Sequence, residues 1–137
     1  MDENKARDLY IKMQIIQRHI EQLEEHMVEI DQKTLELRTM IDAVEESAGI
    51  KEGDELMVPL TSGIFMHAKA SDTKKLLLNV GAQTNIPRSQ EDTKEILLKQ
   101  QEELSSYRDK IREQQLLLSK EAEKIEQSVM EAMKGNV

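Results

Sequence analysis

Three histidines and three pairs of adjacent glutamates are the residues of this chain best suited to chemistry, whether metal ligation, proton transfer or paired-carboxylate catalysis. His19 and His26 stand seven residues apart on one helical face, too far to share one ion, and the chain has no Cys to complete a site. They read as solvated surface groups. His67 falls in a strand-like stretch, faces opposite to Met66, and reads as a packing or hydrogen-bonding group. Glu24-Glu25, Glu45-Glu46 and Glu102-Glu103 lie in long helical stretches among Lys and Arg, where they serve solubility and helix pairing. A catalytic carboxylate pair needs a cleft, which a narrow helical arm does not offer. The chain carries no phosphate-cradling glycine loop, nucleophile elbow or dinucleotide fingerprint. No catalytic residue, metal site or cofactor is expected, and the chain does not read as an enzyme.

The elements that carry these residues are more informative. Leu9, Met13, Ile16, Ile20, Leu23, Met27, Ile30, Thr34, Leu37, Ile41, Val44 and Ala48 follow at alternating steps of four and three, which keeps one stripe facing a partner helix. No Pro or Gly falls between residues 2 and 48, so the spacing predicts an unbroken helix of roughly 70 Å. A second arm opens at Pro87-Arg88-Ser89, with Ser89 as the cap and Asp92 completing a variant of the capping box. Leu97, Leu104, Ile111, Leu118, Ile125 and Ala132 then recur every seven residues up to a stop at Gly135. Gln100, Tyr107 and Gln114 fill the intervening row before Ala122 and Val129 take it over, a slip that reads as a stutter. Two arms of equal length joined by a compact bend most simply pack antiparallel, with the termini at the far tip.

Composition agrees with a thin seam. Charged residues make up 34% of the chain and aromatics 2%, with one Phe and no Trp, so a conventional globular core would lack large fillers. A net charge of -8 without a sustained basic face argues against a nucleic-acid partner. The lack of a long apolar run excludes a helical membrane span, and the amino terminus lacks a secretory pattern. The absence of Cys also fits a cytoplasmic setting.

The centre, residues 49–88, changes period. Leu56 to Ala68 and Leu76 to Pro87 contain no charged residue. Leu56, Val58 and Leu60 alternate before the turn Thr61-Ser62-Gly63, and Ile64, Met66 and Ala68 resume the alternation as one hairpin. Leu76, Leu78 and Val80, a turn or bulge at Gly81, then Thr84 and Ile86 make a second. Pro59 cannot donate to a ladder and belongs at an edge or bulge. Such uncharged hairpins cannot bury their faces against two narrow helices and lack the charges that guard free edges. Leu56, Val58, Leu60, Ile64, Met66, Leu76, Leu78, Val80 and Ile86 are therefore expected to form a subunit interface.

The order helix, two hairpins, helix, with Val58-Pro59-Leu60, Asp72-Thr73-Lys74-Lys75-Leu76 and Val80-Gly81-Ala82 in sequence, resembles the alpha-type subunits of the prefoldin family over essentially the whole chain. Where many relatives carry an aromatic residue soon after the glycine, this chain has Gln83-Thr84-Asn85. Its compactness is more similar to an archaeal-type than a eukaryotic subunit. The resemblance implies an α+β, mainly α fold and one domain over 1–137. Arms at 1–48 and 89–137 would form a long antiparallel two-helix coiled coil, and the platform at 49–88 would join an inter-subunit β-barrel. It further implies a cytosolic, ATP-independent co-chaperone in a hetero-hexamer of two alpha-type and four beta-type subunits. Such a complex holds unfolded polypeptides between its arm tips and passes them to a group II chaperonin.

The residues supply their own reason for holding. Leu9, Tyr10, Ile11, Met13, Ile15 and Ile16 crowd one arm near the expected tip, with Val129, Met130 and Met133 on the other, more apolar groups than one seam needs. Tyr10, Ile11, Ile15 and Met130 fall off the stripe, and flexible Met side chains suit varied unfolded segments. The alternative is a structural coiled-coil adaptor that docks one defined folded partner.

Overall fold

A stripe of seam residues needs a second helix, and the computed structural model, which describes residues 3–135, contains both: α1, Glu3–Ser47, and α2, Gln90–Lys134. Each has 45 residues, about 68 Å at the α-helical rise. Between them lie β1, Glu55–Thr61, β2, Ile64–Lys69, β3, Lys75–Asn79, and β4, Asn85–Ser89. The chain thus adopts the mainly-α class expected, two long helices with two antiparallel hairpins between them. The outermost expected bounds, at 1 and 137, fall outside the described residues. The chain divides into two units, residues 1–33 with 103–137 and residues 34–102.

In the first unit α1 and α2 run antiparallel, with Tyr10 and Val129 lining one recess while Asp31 pairs with Arg108. Leu23, Ile30 and Ile111 form its core, and Met27, Leu104 and Leu118 pack against them. The second row of α2 corrects the expected stutter. The half-buried residues are Arg108 and Gln115, one position beyond Tyr107 and Gln114, and they lead without a slip into Ala122 and Val129. Long polar side chains hold these seam positions because their stems can bury while their heads reach solvent. Arg108 donates from Nε to Asp31 Oδ1 at 2.9 Å, whereas Tyr107 is exposed.

In the second unit Leu37, Ile41 and Leu97 are buried, and Leu97 is the most completely enclosed side chain at 1% exposure. Thr93 is buried one turn before it, with Oγ1 donating to the Ser89 carbonyl at 2.7 Å. That bond satisfies the hydroxyl and lets a polar residue close the seam. Ser89 caps α2 as expected, because its Oγ accepts from the Asp92 N–H at 3.1 Å. Ser47, not Ala48, ends the α1 stripe. Its Oγ donates to the Val44 carbonyl and accepts from Gln90 Nε2, while Ala48 lies past the helix and is exposed. Lys94 pairs with Glu45 at 2.8 Å.

The hairpins stand as two separate two-stranded sheets, β1–β2 and β3–β4. Asp54 closes the turn into β1, accepting from the Lys51 N–H at 2.8 Å, and its carbonyl accepts from Ala70 N–H at the hairpin base. Leu56 faces Ala68, Val58 faces Met66 and Pro59 faces Phe65, after which the register shifts before Thr61 faces Ile64. The irregularity sits beside Pro59, which cannot join the ladder. It leaves Leu60 without a cross-strand partner and breaks the simple alternation expected there. In the second hairpin Leu78 faces Ile86 and Asn79 faces Asn85. Val80 therefore belongs to the loop, not to a strand. The loop turns through Gly81, Ala82 and Gln83, all at positive φ, with Asn79 Oδ1 accepting from the Gly81 N–H.

Leu97→Ala should remove about 2–5 kcal/mol of stability, while Lys94→Ala, which breaks an exposed ion pair, should cost under about 1 kcal/mol. Urea denaturation followed by helical circular dichroism checks both, and equal losses would contradict this placement of the core.

Candidate functional site

Among the described residues two apolar surfaces stand out, beside exposed residues such as Leu35, Leu116 and Leu117 along the helices. The first is a groove of about 440 Å³ at the end of the first unit where α1 begins and α2 finishes. Ala6, Leu9, Tyr10 and Met13 line it from α1, and Ile125, Glu126, Val129 and Met130 from α2. Leu9, Met13, Ile125 and Val129 are half-buried seam residues, and small Ala6 leaves room between the helices. Tyr10 and Met130 each follow a seam residue by one position, which turns them onto the rim, at 64% and 61% exposure. Gln14 Nε2 donates to the Tyr10 hydroxyl at 3.1 Å and holds the ring at that rim. Among the described residues Glu126 is the one charged residue lining the groove.

Of the residues singled out from sequence, Leu9, Tyr10, Met13, Val129 and Met130 come together here. Ile11, Ile15 and Met133 are exposed but do not line the groove. Ile16 is 8% exposed. It lies in the seam itself, so no binding chain reaches it while the helices stay paired. Ala6, Ile125 and Glu126 were missed as lining residues. Ala6 stands one heptad before Met13, and that spacing would have found it.

The second surface is on the hairpins. Val58, Leu60, Ile64, Met66 and Val80 are exposed, and Leu56, Leu76, Leu78 and Ile86 are half-buried. Met57, Phe65 and Leu77 are exposed too, Leu77 at 73%. Cross-strand partners share a face, so Val58 and Met66 stand on one side of the first hairpin and Pro59 with Phe65 on the other. Both sides are therefore apolar. The signal was in the sequence: a run with no charge at odd or even positions reads as burial on two faces.

The histidines form no site. His19 and His26 are exposed, and His67 faces Met57 and borders a shallow recess with Glu55, Ala68 and Lys69. Among the described residues no group of three or more His, Cys, Asp or Glu is placed to hold a metal ion, and no helix is long and apolar enough to cross a membrane.

A family model described as prefoldin subunit matches residues 16–135. The chain belongs to the prefoldin family. Prefoldin subunit alpha of Methanothrix thermoacetophila is 31% identical over 109 residues, covering 80% of this prefoldin chain and 71% of that one. Prefoldin subunit alpha of Methanococcus aeolicus is 33% identical over 73 residues, or 53% of this chain, and the match spans about half of that relative, 49%. The fold is also that of a chain in the filamentous PFD of Methanocaldococcus jannaschii, solved by cryo-EM, with a TM-score of 0.62 at 16% identity over 90% of this chain and 96% of that one. Prefoldins are chaperone subunits that form hetero-oligomers, a family role that asks for docking surfaces in place of a catalytic centre.

The exposure pattern separates the groove from the seam beneath it. Tyr10→Ser combined with Met130→Ser should lower binding of a solvatochromic apolar dye while moving the melting temperature little. Ile16→Ser should lower the melting temperature sharply. A double variant that melts early would place Tyr10 and Met130 in the core.

Proposed function

We propose that this chain is the alpha-type subunit of a cytoplasmic hetero-hexamer, two alpha-type with four beta-type subunits, that holds non-native polypeptides and releases them to a group II chaperonin without consuming nucleotide. In this reading residues 1–137 act as one prefoldin-like domain, arms at 1–48 and 89–137 with an assembly platform at 49–88.

The observation that carries the reading is the apolar groove whose rim residues stand exposed, lined by side chains of two helices and nearly free of charge. Unfolded chains expose apolar segments of no fixed sequence, and a flexible Met-bearing surface accepts such variety. Ile11, Ile15 and Met133 widen the contact area beyond the groove, and Leu9, Tyr10, Met13, Val129 and Met130 supply its floor and rim. Ile16 supports it from the seam. Each site binds weakly, so several in one complex must act together. Linked sites raise the effective concentration of one another, and the sum holds a chain that one site would release. Weak single contacts also allow transfer to another chaperone, and no step requires hydrolysis.

Assembly supplies that multiplicity. Leu56, Val58, Leu60, Ile64, Met66, Leu76, Leu78, Val80 and Ile86 form the subunit interface in this account, with Met57, Phe65 and Leu77 added to it. Apolar area of this kind, spread over both faces of a hairpin, favours burial between neighbouring chains.

Val58→Asp with Ile64→Asp should abolish the hexamer, because two uncompensated carboxylates would be buried at the interface. Native mass spectrometry should find this chain without its partners, and suppression of aggregation of several unrelated denatured proteins should vanish although the groove is untouched. A full-mass complex would refute the interface. An intact wild-type complex that ignores every denatured protein, yet docks one folded protein, would favour the adaptor.

A further inference from the structure

Sulfur is concentrated at the terminal groove. The chain has eight Met and no Cys, so its readily oxidised sulfur is all thioether. Met13 and Met130 line the groove, and Met133, 67% exposed, lies one turn beyond Met130 on α2. Among the described residues the other exposed methionines fall elsewhere: Met57 and Met66 on the hairpins, Met40 near the end of α1.

We infer that Met13, Met130 and Met133 form an oxidation switch, a set of thioethers whose conversion to sulfoxides by a hydroperoxide closes the groove to apolar chains. The inference rests on the holding role proposed above. In the reaction a thioether lone pair attacks one peroxide oxygen and the O–O bond breaks. The sulfur gains that oxygen as a sulfoxide, and the proton it carried passes to the second oxygen, which leaves as hydroxide from hydrogen peroxide or alkoxide from an organic hydroperoxide and ends as water or alcohol. Sulfur is oxidised by two electrons and the peroxide is reduced.

The consequence follows from polarity. A sulfoxide is a strong hydrogen-bond acceptor with a bound hydration shell, and an apolar segment must strip that shell to bind. Sulfoxides at Met13 in the floor, at Met130 on the rim and at Met133 one turn beyond would make that end of the helix pair polar. The core deeper in the seam would persist, since Leu23, Ile30 and Ile111 carry no sulfur and lie buried, and half-buried Met27, packed against them, does not line the groove. Met57 and Met66 would be shielded by neighbouring subunits in the assembled complex, so oxidation would reach the groove first and leave assembly intact. Reversal needs an external dithiol reductase, because this chain has no thiol of its own.

The test uses the hexamer assembled with its own partner subunits. It is exposed to hydrogen peroxide, quenched with catalase, mapped by peptide mass spectrometry and assayed for suppression of client aggregation. The switch requires sulfoxide at Met13, Met130 and Met133, an unchanged native mass, and roughly threefold more complex needed for the same suppression, as expected when the two arms this chain contributes weaken among six linked sites. The triple variant Met13→Leu, Met130→Leu, Met133→Leu keeps volume and apolarity. Peroxide should leave its holding at whatever level the untreated variant shows, while Met40→Leu should leave the sensitivity in place. Undiminished holding by the oxidised wild type, an equal loss in the triple variant, or no sulfoxide at these positions would overturn the switch alone. An untreated complex that held nothing would overturn the holding role and the switch with it.

Discussion

A seam two side chains wide holds this protein together. Its depth is set by α1, where apolar residues recur at steps of four and three from Leu9 to Val44, and by the Leu and Ile residues that α2 sets against them. Few residues in such a pair can be fully enclosed, and Leu97, Ile111 and Thr93 come closest. Polar groups then set the register. Arg108 meets Asp31, and two heptads away on each helix Lys94 meets Glu45. Each exposed pair contributes little energy, yet within either unit a helix slipped by one turn would lose the pair there and set long polar stems where α1 presents Leu and Ile. The alternation of apolar and long polar residues along α2 therefore selects one pairing among several of similar hydrophobic content.

So narrow a core leaves nothing to cover the hairpins. Val58, Ile64, Phe65 and Leu77 remain exposed, and an isolated two-stranded hairpin is marginal in water. The run from Leu56 to Ala68 carries no charged residue, so nothing in it eases the exposure of these faces to water. In the proposed assembly, stability and subunit docking become one problem. The terminal groove has the opposite logic. It is small, its exposed residues are flexible or aromatic, and its surroundings are charged enough to keep the end of the pair in solution.

Much of the fold was legible because it obeys periods that sequence displays directly. The stripe of α1, the cap at Ser89 and the two hairpins all follow from spacing and turn chemistry. The errors along the seam share one cause. Where a polar residue holds a seam position, apolar counting has no reason to choose it over its neighbour, so Tyr107 and Gln114 were assigned in place of Arg108 and Gln115, and Ala48 in place of Ser47. Thr93 escaped notice because its burial depends on a hydrogen bond to the Ser89 carbonyl that no spacing rule reveals. The irregularity at Leu60 was signalled by Pro59, but its effect on the register appears only in the pairing. The groove was legible as an excess of apolar residues and not as a shape, since Ile16, equally apolar, turns inward.

The central claim is that one surface of this chain binds its sibling subunits and another binds unfolded polypeptide. Site-specific photocrosslinking in the assembled complex, with a photoreactive residue placed singly at Tyr10, Met130, Val58 or Phe65 and a denatured client present, tests it most directly. Adducts to the client from Tyr10 and Met130, and to other subunits from Val58 and Phe65, are the predicted result. Client adducts from the hairpin positions, with none from the groove, would contradict the account.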